Sequence, residues 1–297
     1  METFAGLPVV RFEDGKAPDV DDPAAVAWRI EVDWEDGPDD FAEVLDGLLS
    51  AVGPALTTLV VGPWGSVGDH PAPIDALAAR AGRLPNLRAL FLGDIVYEES
   101  EVSWITPCDP TEILPFFPKL VHLRARGSNG FTPLVGAPLE ALVLESGGLP
   151  ASTVRAVGAS DLPALGHLEL WLGDDSYGGD SRVDDLAEIL GGARLPALRY
   201  LGLCNAEAVD EAADAVSTAP VVARLEVLDL SMGTLGDEGA RALLSGQPLT
   251  HLRRLDLHRH YLSEEMAARI VAGLPGVDVD LDDRQERTVD RVVAVSE

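Results

Sequence analysis

The sequence is poor in basic residues. Its 297 residues include 22 lysines and arginines against 50 aspartates and glutamates, which gives a formal net charge of −28. An electrostatic field of this sign repels nucleic acids and anionic membranes, whereas it attracts cations and basic protein surfaces. We therefore expect no nucleic-acid partner and no membrane partner, and we expect a protein or peptide with a basic surface.

Cysteines and long apolar runs are also scarce. Cys108 and Cys204 are the two cysteines, and neither belongs to a CxxC or CxxH pattern, which argues against a disulfide framework and a zinc ribbon. No uncharged apolar run approaches the roughly 20 residues that span a bilayer, and the first residues, METFAGLPVVRFEDGK, do not read as a secretory leader. These features predict a soluble, cytoplasmic protein.

The common catalytic motifs are missing as well. The patterns GxGxxG, GxxxxGK[ST], GxSxG and HExxH do not occur in the sequence, so the usual phosphate loops, nucleophile elbows and zinc-protease helices are not expected. The aspartate-rich stretch GDDSYGGDSRVDD, residues 173–185, lacks the spaced ligands of a calcium loop and is expected to cap the helix after it. We predict no catalytic residue, no cofactor and no metal.

What the sequence does contain is an internal repeat of the form Lxx(L/V)x(L/V/A). Copies begin at Leu56, Leu87, Leu120, Leu139, Leu165, Leu198, Leu225 and Leu252, with a weaker one at Gly276. The intervals run from 19 to 33 residues and average about 27, which is the period of leucine-rich repeats. Three apolar side chains at this spacing point inward from a short parallel strand, and the helix that follows covers them.

Two consecutive copies carry a closer resemblance. LEVLDLSMGTLGDEGARALL, from Leu225, and LRRLDLHRHYLSEEMAARIVAGL, from Leu252, match almost position for position. They resemble the ribonuclease-inhibitor-like subclass of leucine-rich-repeat proteins, which implies a curved α/β solenoid with parallel strands on the concave face and helices on the convex face. The chain as a whole resembles an uncharacterised bacterial leucine-rich-repeat family whose members tend to be encoded beside radical-SAM and ATP-grasp enzymes. This resemblance implies a modification enzyme encoded nearby as a partner.

The N-terminal region fits the same period. AWRIEVDW, residues 27–34, alternates apolar and charged residues as a strand does, and DDFAEVLDGLLSAV reads as an amphipathic helix capped by Asp39 or Asp40. We therefore predict an N-terminal cap over residues 1–24 and a solenoid of about nine to ten repeats over residues 25–283. Residues 284–297 form a tail that caps the other end or is disordered.

The stretch HLRRLDLHRHYLSEEM, residues 251–266, places three histidines among carboxylates, a combination that can bind a metal. The repeat register decides against this reading. Leucines 252, 255 and 257 are predicted to be buried, so that Asp256 and His258 project from the opposite face. His260 lies where the chain leaves the strand, and we expect it to turn inward and bond to backbone groups. We predict a solvated face followed by the start of a helix.

Equivalent positions in successive repeats become neighbours about 4.8 Å apart on adjacent strands. The concave row at the fifth repeat position reads Glu31, Val60, Phe91, Arg124, Val143, Glu169, Gly202, Asp229, Asp256 and Asp280. Trp171 and Tyr200 fall beside its acidic end, where an exposed aromatic pair would form a hot spot. Alternatively, the loop of residues 173–185 folds over Trp171. The predicted binding residues are Glu169, Trp171, Tyr200, Asp229, Asp256 and His258.

Two functions are compatible with these patterns. The first is a non-enzymatic module that binds a protein or peptide through the acidic, aromatic-bearing concave face. The alternative is a small-molecule or metal-dependent enzyme or accessory factor, which would act at the loops after the carboxyl ends of the strands. The residues that would serve it are Asp94, Glu98, Glu99 and Trp104.

Overall fold

The computed structural model describes residues 1–13, 15–286 and 290–295. They divide into two compact units: unit 1 comprises Met1–Thr132 and Ala137–Leu142, and unit 2 comprises Pro133–Gly136 and Val143–Glu297. The predicted tail therefore falls partly outside the described residues, at positions 287–289 and 296–297.

Unit 1 alternates strands with short helices. Its strands are β1 (Thr3–Phe4), β2 (Leu7–Arg11), β3 (Ala27–Val32), β4 (Thr58–Trp64), β5 (Ala89–Leu92) and β6 (His122–Arg126), and its α-helices are α1 (Pro38–Val52) and α2 (Ile74–Ala78). From β2 to β6 each strand pairs in parallel with the next one along the chain. Strand β7 (Ala141–Glu145) contains residues of both units.

Unit 2 is more regular. Its strands are β8 (His167–Gly173), β9 (Tyr200–Ala206), β10 (Val227–Asp229), β11 (Arg254–Asp256) and β12 (Asp278–Asp280), and its α-helices are α3 (Ala151–Ala159), α4 (Ala187–Gly191), α5 (Val209–Thr218), α6 (Asp237–Ser245) and α7 (Glu264–Gly273). Each strand from β8 to β12 again pairs in parallel with the next one. One helix lies between successive strands, as the repeat predicts.

The register of unit 2 follows the sequence repeat. Leu228 pairs with Leu255, and Asp229 pairs with Asp256, 27 residues further along the chain. The three leucines of LRRLDL are buried. The predicted fold class, an α/β leucine-rich-repeat solenoid of parallel strands and helices, is confirmed.

Helices α5, α6 and α7 of unit 2 are linked by a repeated aspartate cap. The Asp210 carboxylate, at the start of α5, accepts hydrogen bonds from the backbone N–H groups of Gly236 and Gly239 at the start of α6, at 2.8 and 3.1 Å. Asp237, at the start of α6, accepts one from Ser263 before α7, at 2.8 Å. Each carboxylate thus satisfies donors that the following helix leaves unpaired.

The N-terminal residues cover part of one sheet face in unit 1. Strand β1 pairs antiparallel with β2, and this hairpin brings Phe4 against Ala27, Val60 and Phe91, all of them buried. The ring centroids of Phe4 and Phe91 are 5.8 Å apart. Val60 and Phe91 belong to the row that was predicted on the concave face, and they are buried because the hairpin packs on that face.

Among the described residues, none of the helices combines the length and the apolar character needed to cross a bilayer.

Candidate functional site

The four carboxylates at the acidic end of the predicted row, which we call the carboxylate row, are Glu169, Asp229, Asp256 and Asp280. Each has a partner within the protein. Glu169 accepts a hydrogen bond from the Trp171 indole at 2.8 Å. Asp229 accepts one from the Tyr200 hydroxyl at 2.6 Å.

The aromatic residues beside the row are packed. Tyr200 stacks on His167, with ring centroids 3.8 Å apart and planes inclined by 13°. Burial, followed by the charges of Asp229 and Glu169, raises the pKa of Tyr200. The phenol therefore stays protonated at neutral pH and serves as the donor to Asp229.

At the other end of the row, Arg254 supplies the compensating charge. Its guanidinium contacts Asp256 at 2.8 Å, Asp280 at 2.6 Å and Asp278 at 3.1 Å. His258 adds a contact from Nδ1 to Asp256 at 2.8 Å. Burial would raise the pKa of Asp256, but the bonds from Arg254 and His258 outweigh it, and the pKa lies below its usual value.

Three residues of this cluster carry groups that could hold a metal. Among the described residues, Asp256, His258 and Asp280 place potential ligand atoms within 4.8 Å of one another. The Arg254 guanidinium, however, already binds both carboxylates. A divalent cation would have to displace it or lie beside it, where like charges repel. The cluster is therefore organised as an ion-pair network.

His260 has the role expected from the sequence. Its ring is buried, Nε2 lies 3.0 Å from the Leu281 carbonyl, and Nδ1 accepts a hydrogen bond from the Leu262 N–H at 3.1 Å. Burial lowers the pKa of His260. The prediction that this side chain turns inward to bond with the backbone is confirmed.

Asp229 was expected to face solvent, and this expectation is wrong, because the residue is only 7% exposed. Trp171, for which an exposed position and a covered position were both left open, is only 8% exposed. The reason is local pairing: the indole bonds to Glu169, while Asp229 accepts bonds from Tyr200 and from the Ser231 N–H at 2.9 Å. Binding of a partner by this face stays a prediction. Such a partner would meet side chains that already have hydrogen-bond partners within the protein.

A more open site lies in unit 1, at the loops that follow β3, β4 and β5. It is a cleft of about 800 Å³ that we call the acidic cleft. Two tryptophans line it, and both are exposed: Trp34 at 73% and Trp104 at 70%. The carboxylates that line it are those of Glu31, Asp33, Asp69, Glu98 and Glu99. Among the described residues, no lysine, arginine or histidine lines it.

Local structure explains why the acidic cleft is open. Strand β3 ends at Val32, so Trp34 lies in the turn after it and does not join the alternating apolar face. In that turn the Asp36 carboxylate accepts a hydrogen bond from the Asp33 N–H at 3.0 Å. Gly65 approaches the same turn with φ of +96°, and a Cβ there would lie 2.4 Å from the Asp36 carbonyl oxygen. A glycine is required for this close approach.

The acidic groups at the cleft differ in their pairing. Glu31 contacts the Arg29 and Arg11 guanidinium groups. The Glu99 carboxylate accepts a hydrogen bond from the Val96 N–H at 2.9 Å. Glu98 makes no ion pair within the described part of the chain. The cleft therefore keeps negative charge that the protein does not neutralise.

Asp94 is one of the residues predicted for the enzymatic alternative, but it is buried and does not line the cleft. Its carboxylate accepts a hydrogen bond from Arg29 Nε at 2.7 Å, and both side chains are buried. Burial alone would lower the pKa of Arg29, but Asp94 and Glu31 raise it. Asp94 is thus the fixed counter-ion of a buried guanidinium, whereas Glu98, Glu99 and Trp104 do line the cleft.

The two cysteine thiols are poorly suited to nucleophilic chemistry. Burial raises the pKa of Cys108 to about 12, with Asp109 and Glu112 adding to the shift. Cys204 is also buried, and its burial raises its pKa in the same way. A thiolate is the reactive form of cysteine, so neither residue is activated at neutral pH.

Trp104, Glu98 and Glu99 were predicted to lie near the strand ends, whereas Trp34 was not. Trp34 follows the apolar alternation of AWRIEVDW and was read as part of the strand. The available signal was the sequence DWEDG, because aspartate and glycine favour turns. That signal places Trp34 in a loop at the same end of the sheet as Trp104.

No family model matches the chain, and no curated protein matches it. It is similar to the leucine-rich-repeat-containing protein LegL7 from Legionella pneumophila, at 16% identity and a TM-score of 0.45 over 92% of this chain and 89% of that one. It is also similar to a protein from Bacteroides fragilis whose crystal structure is known, at 30% identity and a TM-score of 0.79 over 89% of this chain and 76% of that chain. The chain belongs to the same family as this Bacteroides fragilis protein.

Proposed function

We propose that the protein is a binding module whose acidic cleft accepts a basic segment of a partner protein. The observation that carries the proposal is the pairing of Trp34 and Trp104, each about 70% exposed, with carboxylates in one cleft. Large exposed aromatic side chains lose little conformational entropy on binding and are enriched at binding hot spots. Their position in loops at strand ends is typical of functional sites on a rigid scaffold.

The chemistry of the cleft selects a cationic partner. Arginine and lysine side chains stack on indole faces with a stabilisation of about 0.5–2 kcal/mol, depending on how far the pair is desolvated. Carboxylates beside the ring then pair with the same cation. Glu98 supports this role because its negative charge has no ion pair within the described residues.

The overall charge supports the same partner. A net charge of −28 accelerates the approach of a basic protein from a distance, while the cleft supplies short-range contacts. The enzymatic alternative has less support, because Asp94 is bound to Arg29 and both cysteine pKa values are raised.

The test is a titration with a hexa-arginine peptide, followed by tryptophan fluorescence. We expect saturable binding that weakens as salt is added, because ionic screening shortens the range of the attraction. Trp104→Ala should weaken binding about tenfold or more, as expected of a hot-spot aromatic residue. Glu98→Gln should weaken it less and should reduce the salt dependence.

Matched controls separate the cleft from the general charge of the protein. Phe116 is an exposed aromatic residue of unit 1 outside the cleft, and Glu140 is an exposed glutamate of the same unit. Phe116→Ala and Glu140→Gln should leave the affinity unchanged. Equal weakening by the control and the cleft variants would mean that the peptide binds the protein's charge non-specifically, and the proposal would be abandoned.

A further inference from the structure

The described end of the chain packs across unit 2. Residues 290–295, which we call the tail segment, have the sequence DRVVAV. The Asn205 side chain accepts a hydrogen bond from the Val295 N–H at 2.9 Å and donates one to the Val295 carbonyl at 2.5 Å. The Ala294 N–H donates to the Met232 carbonyl at 2.8 Å. Arg259 donates to the Val292 carbonyl at 2.8 Å.

Three of the residues that bind the tail segment occupy one position in three successive repeats. Asn205, Met232 and Arg259 are separated by 27 residues each, and all three have positive φ, between 51° and 67°. This backbone conformation is uncommon for residues other than glycine. We call these three residues the loop ledge. Their repetition in the same conformation shows that the ledge is built by the repeat itself.

The ledge matches the dimensions of an extended peptide. Two strand spacings of about 4.8 Å separate Asn205 from Arg259, which is about 10 Å. The three steps of an extended chain from Val292 to Val295 span about the same length, at roughly 3.3 Å per step. An extended segment can therefore keep its backbone bonds in step with successive repeats.

Side chains add specificity to these backbone bonds. Arg291 donates to the Asp210 carboxylate at 3.0 Å and to the Thr234 carbonyl at 2.9 Å. Gly236 leaves the space for this side chain, because a Cβ there would lie 2.3 Å from the guanidinium. Two residues later, Val293 is buried at 3% exposure. The surface thus selects an arginine followed at the second position by a small apolar residue.

The tail segment has features of an exchangeable occupant. Val293 is buried, whereas the neighbouring Val292 is exposed. Most of the contacts are backbone hydrogen bonds, which any extended chain could form.

We propose that the loop ledge is a peptide-binding site, separate from the acidic cleft, for an extended segment of a partner protein with the pattern arginine, any residue, small apolar residue. The tail segment occupies this site in cis and is displaced when such a partner binds.

The experiment uses the full-length chain. In the double variant Arg291→Ala/Val293→Asp, the tail segment loses both of its anchoring side chains. An acetylated and amidated DRVVAV peptide carrying a fluorophore is then titrated by anisotropy. We expect saturable binding to the variant and at least about tenfold weaker binding to the wild type, since a tethered tail competes at a high effective concentration.

Two peptide controls test the specificity. Replacing arginine by alanine, or the second of the adjacent valines by aspartate, should each weaken binding about tenfold or more, because one change removes a charge-assisted bond and the other places a charge in an apolar site. Failure of DRVVAV to bind the folded variant would overturn the proposal. Equal binding of all three peptides would do so as well.

Amide hydrogen exchange of the wild type covers the case in which the double variant does not fold. If the tail segment is exchangeable, the amides of Ala294 and Val295 should exchange through local opening, much faster than those of Leu228 and Leu255 in the strands. Exchange at the same slow rate as the strands would show that the segment is released only when unit 2 unfolds, and would overturn the proposal.

Discussion

The hydrogen bond between Tyr200 and Asp229 offers a direct test of how the carboxylate row is stabilised. The hydroxyl oxygen lies 2.6 Å from Asp229 Oδ2, and the ring stacks on His167. Tyr200→Phe removes the hydroxyl while preserving the ring. The Asp229 carboxylate, 7% exposed, then keeps the Ser231 N–H as a donor but loses its shortest contact.

A hydrogen bond to a charged group contributes about 1.5–3 kcal/mol. We therefore expect Tyr200→Phe to lower the free energy of unfolding by about this amount, as measured by urea denaturation monitored by circular dichroism. Asp229→Asn alone should weaken the same bond, because it exchanges a charged acceptor for a neutral one. Substitutions of exposed acidic residues that lack such contacts change the free energy of unfolding by about 0.5 kcal/mol or less.

The double variant completes the cycle. If the two groups act through one bond, Tyr200→Phe combined with Asp229→Asn should destabilise less than the sum of the single variants, by about 1 kcal/mol or more. Additive effects, or a Tyr200→Phe variant as stable as the wild type, would show that the bond does not hold the carboxylate and that Asp229 is accommodated in another way.

Three further predictions concern the core, a buried ion pair and a histidine. Leu228→Ala should lower the free energy of unfolding by about 2–5 kcal/mol, because Leu228 is fully buried, and an unchanged urea midpoint would contradict its assignment to the core. Gly62→Ala should cost about 1–3 kcal/mol, because its Cβ would lie 2.7 Å from the guanidinium of Arg29, and a thermal melt matching the wild type would refute this packing. Because burial lowers the pKa of His260, the unfolded state takes up the proton first, so stability should fall as the pH drops below about 6.5. His260→Gln should remove this part of the pH dependence in urea midpoints measured from pH 8 to pH 5, and an unchanged slope would assign it to other groups.

The repeat period carries most of the information about the fold. Leucines recurring at a spacing near 27 residues predict both the strands and the pairing of Leu228 with Leu255. This prediction works because the apolar side chains of each strand must be buried by its own helix and by its neighbours. The sequence Gly-Asp-Glu-Gly likewise predicts the start of α6 from neighbouring residues alone. Carboxylates near a helix N-terminus interact favourably with its unpaired N–H groups.

The side chains beside the carboxylate row could not be assigned in the same way. Alternation along a strand identifies which face a residue occupies, but it does not state whether that face is covered. Phe4 covers Phe91 through a hairpin formed more than 80 residues earlier in the chain. The contact of Asn205 with Val295 joins residues 90 positions apart. Such contacts depend on irregular segments for which the repeat provides no register.

Electrostatics favours loops over strands for acidic groups that are to bind a partner. Two carboxylates on adjacent strands, about 4.8 Å apart, repel each other by roughly 3.5 kcal/mol at an effective dielectric constant of 20. Asp229 and Asp256 are paired in this register, and each has an internal donor: Tyr200 for one, Arg254 for the other.

Carboxylates in loops are not held at strand spacing, so they can separate and remain hydrated without such partners. Glu98 does so at the acidic cleft, where it makes no ion pair within the described residues. A cationic partner can therefore bind there without first breaking an internal ion pair. At Asp256 the same partner would have to replace Arg254, and part of the binding energy would be offset by the loss of that contact. We therefore propose the loops of unit 1, in preference to the strand face, as the site for a basic segment.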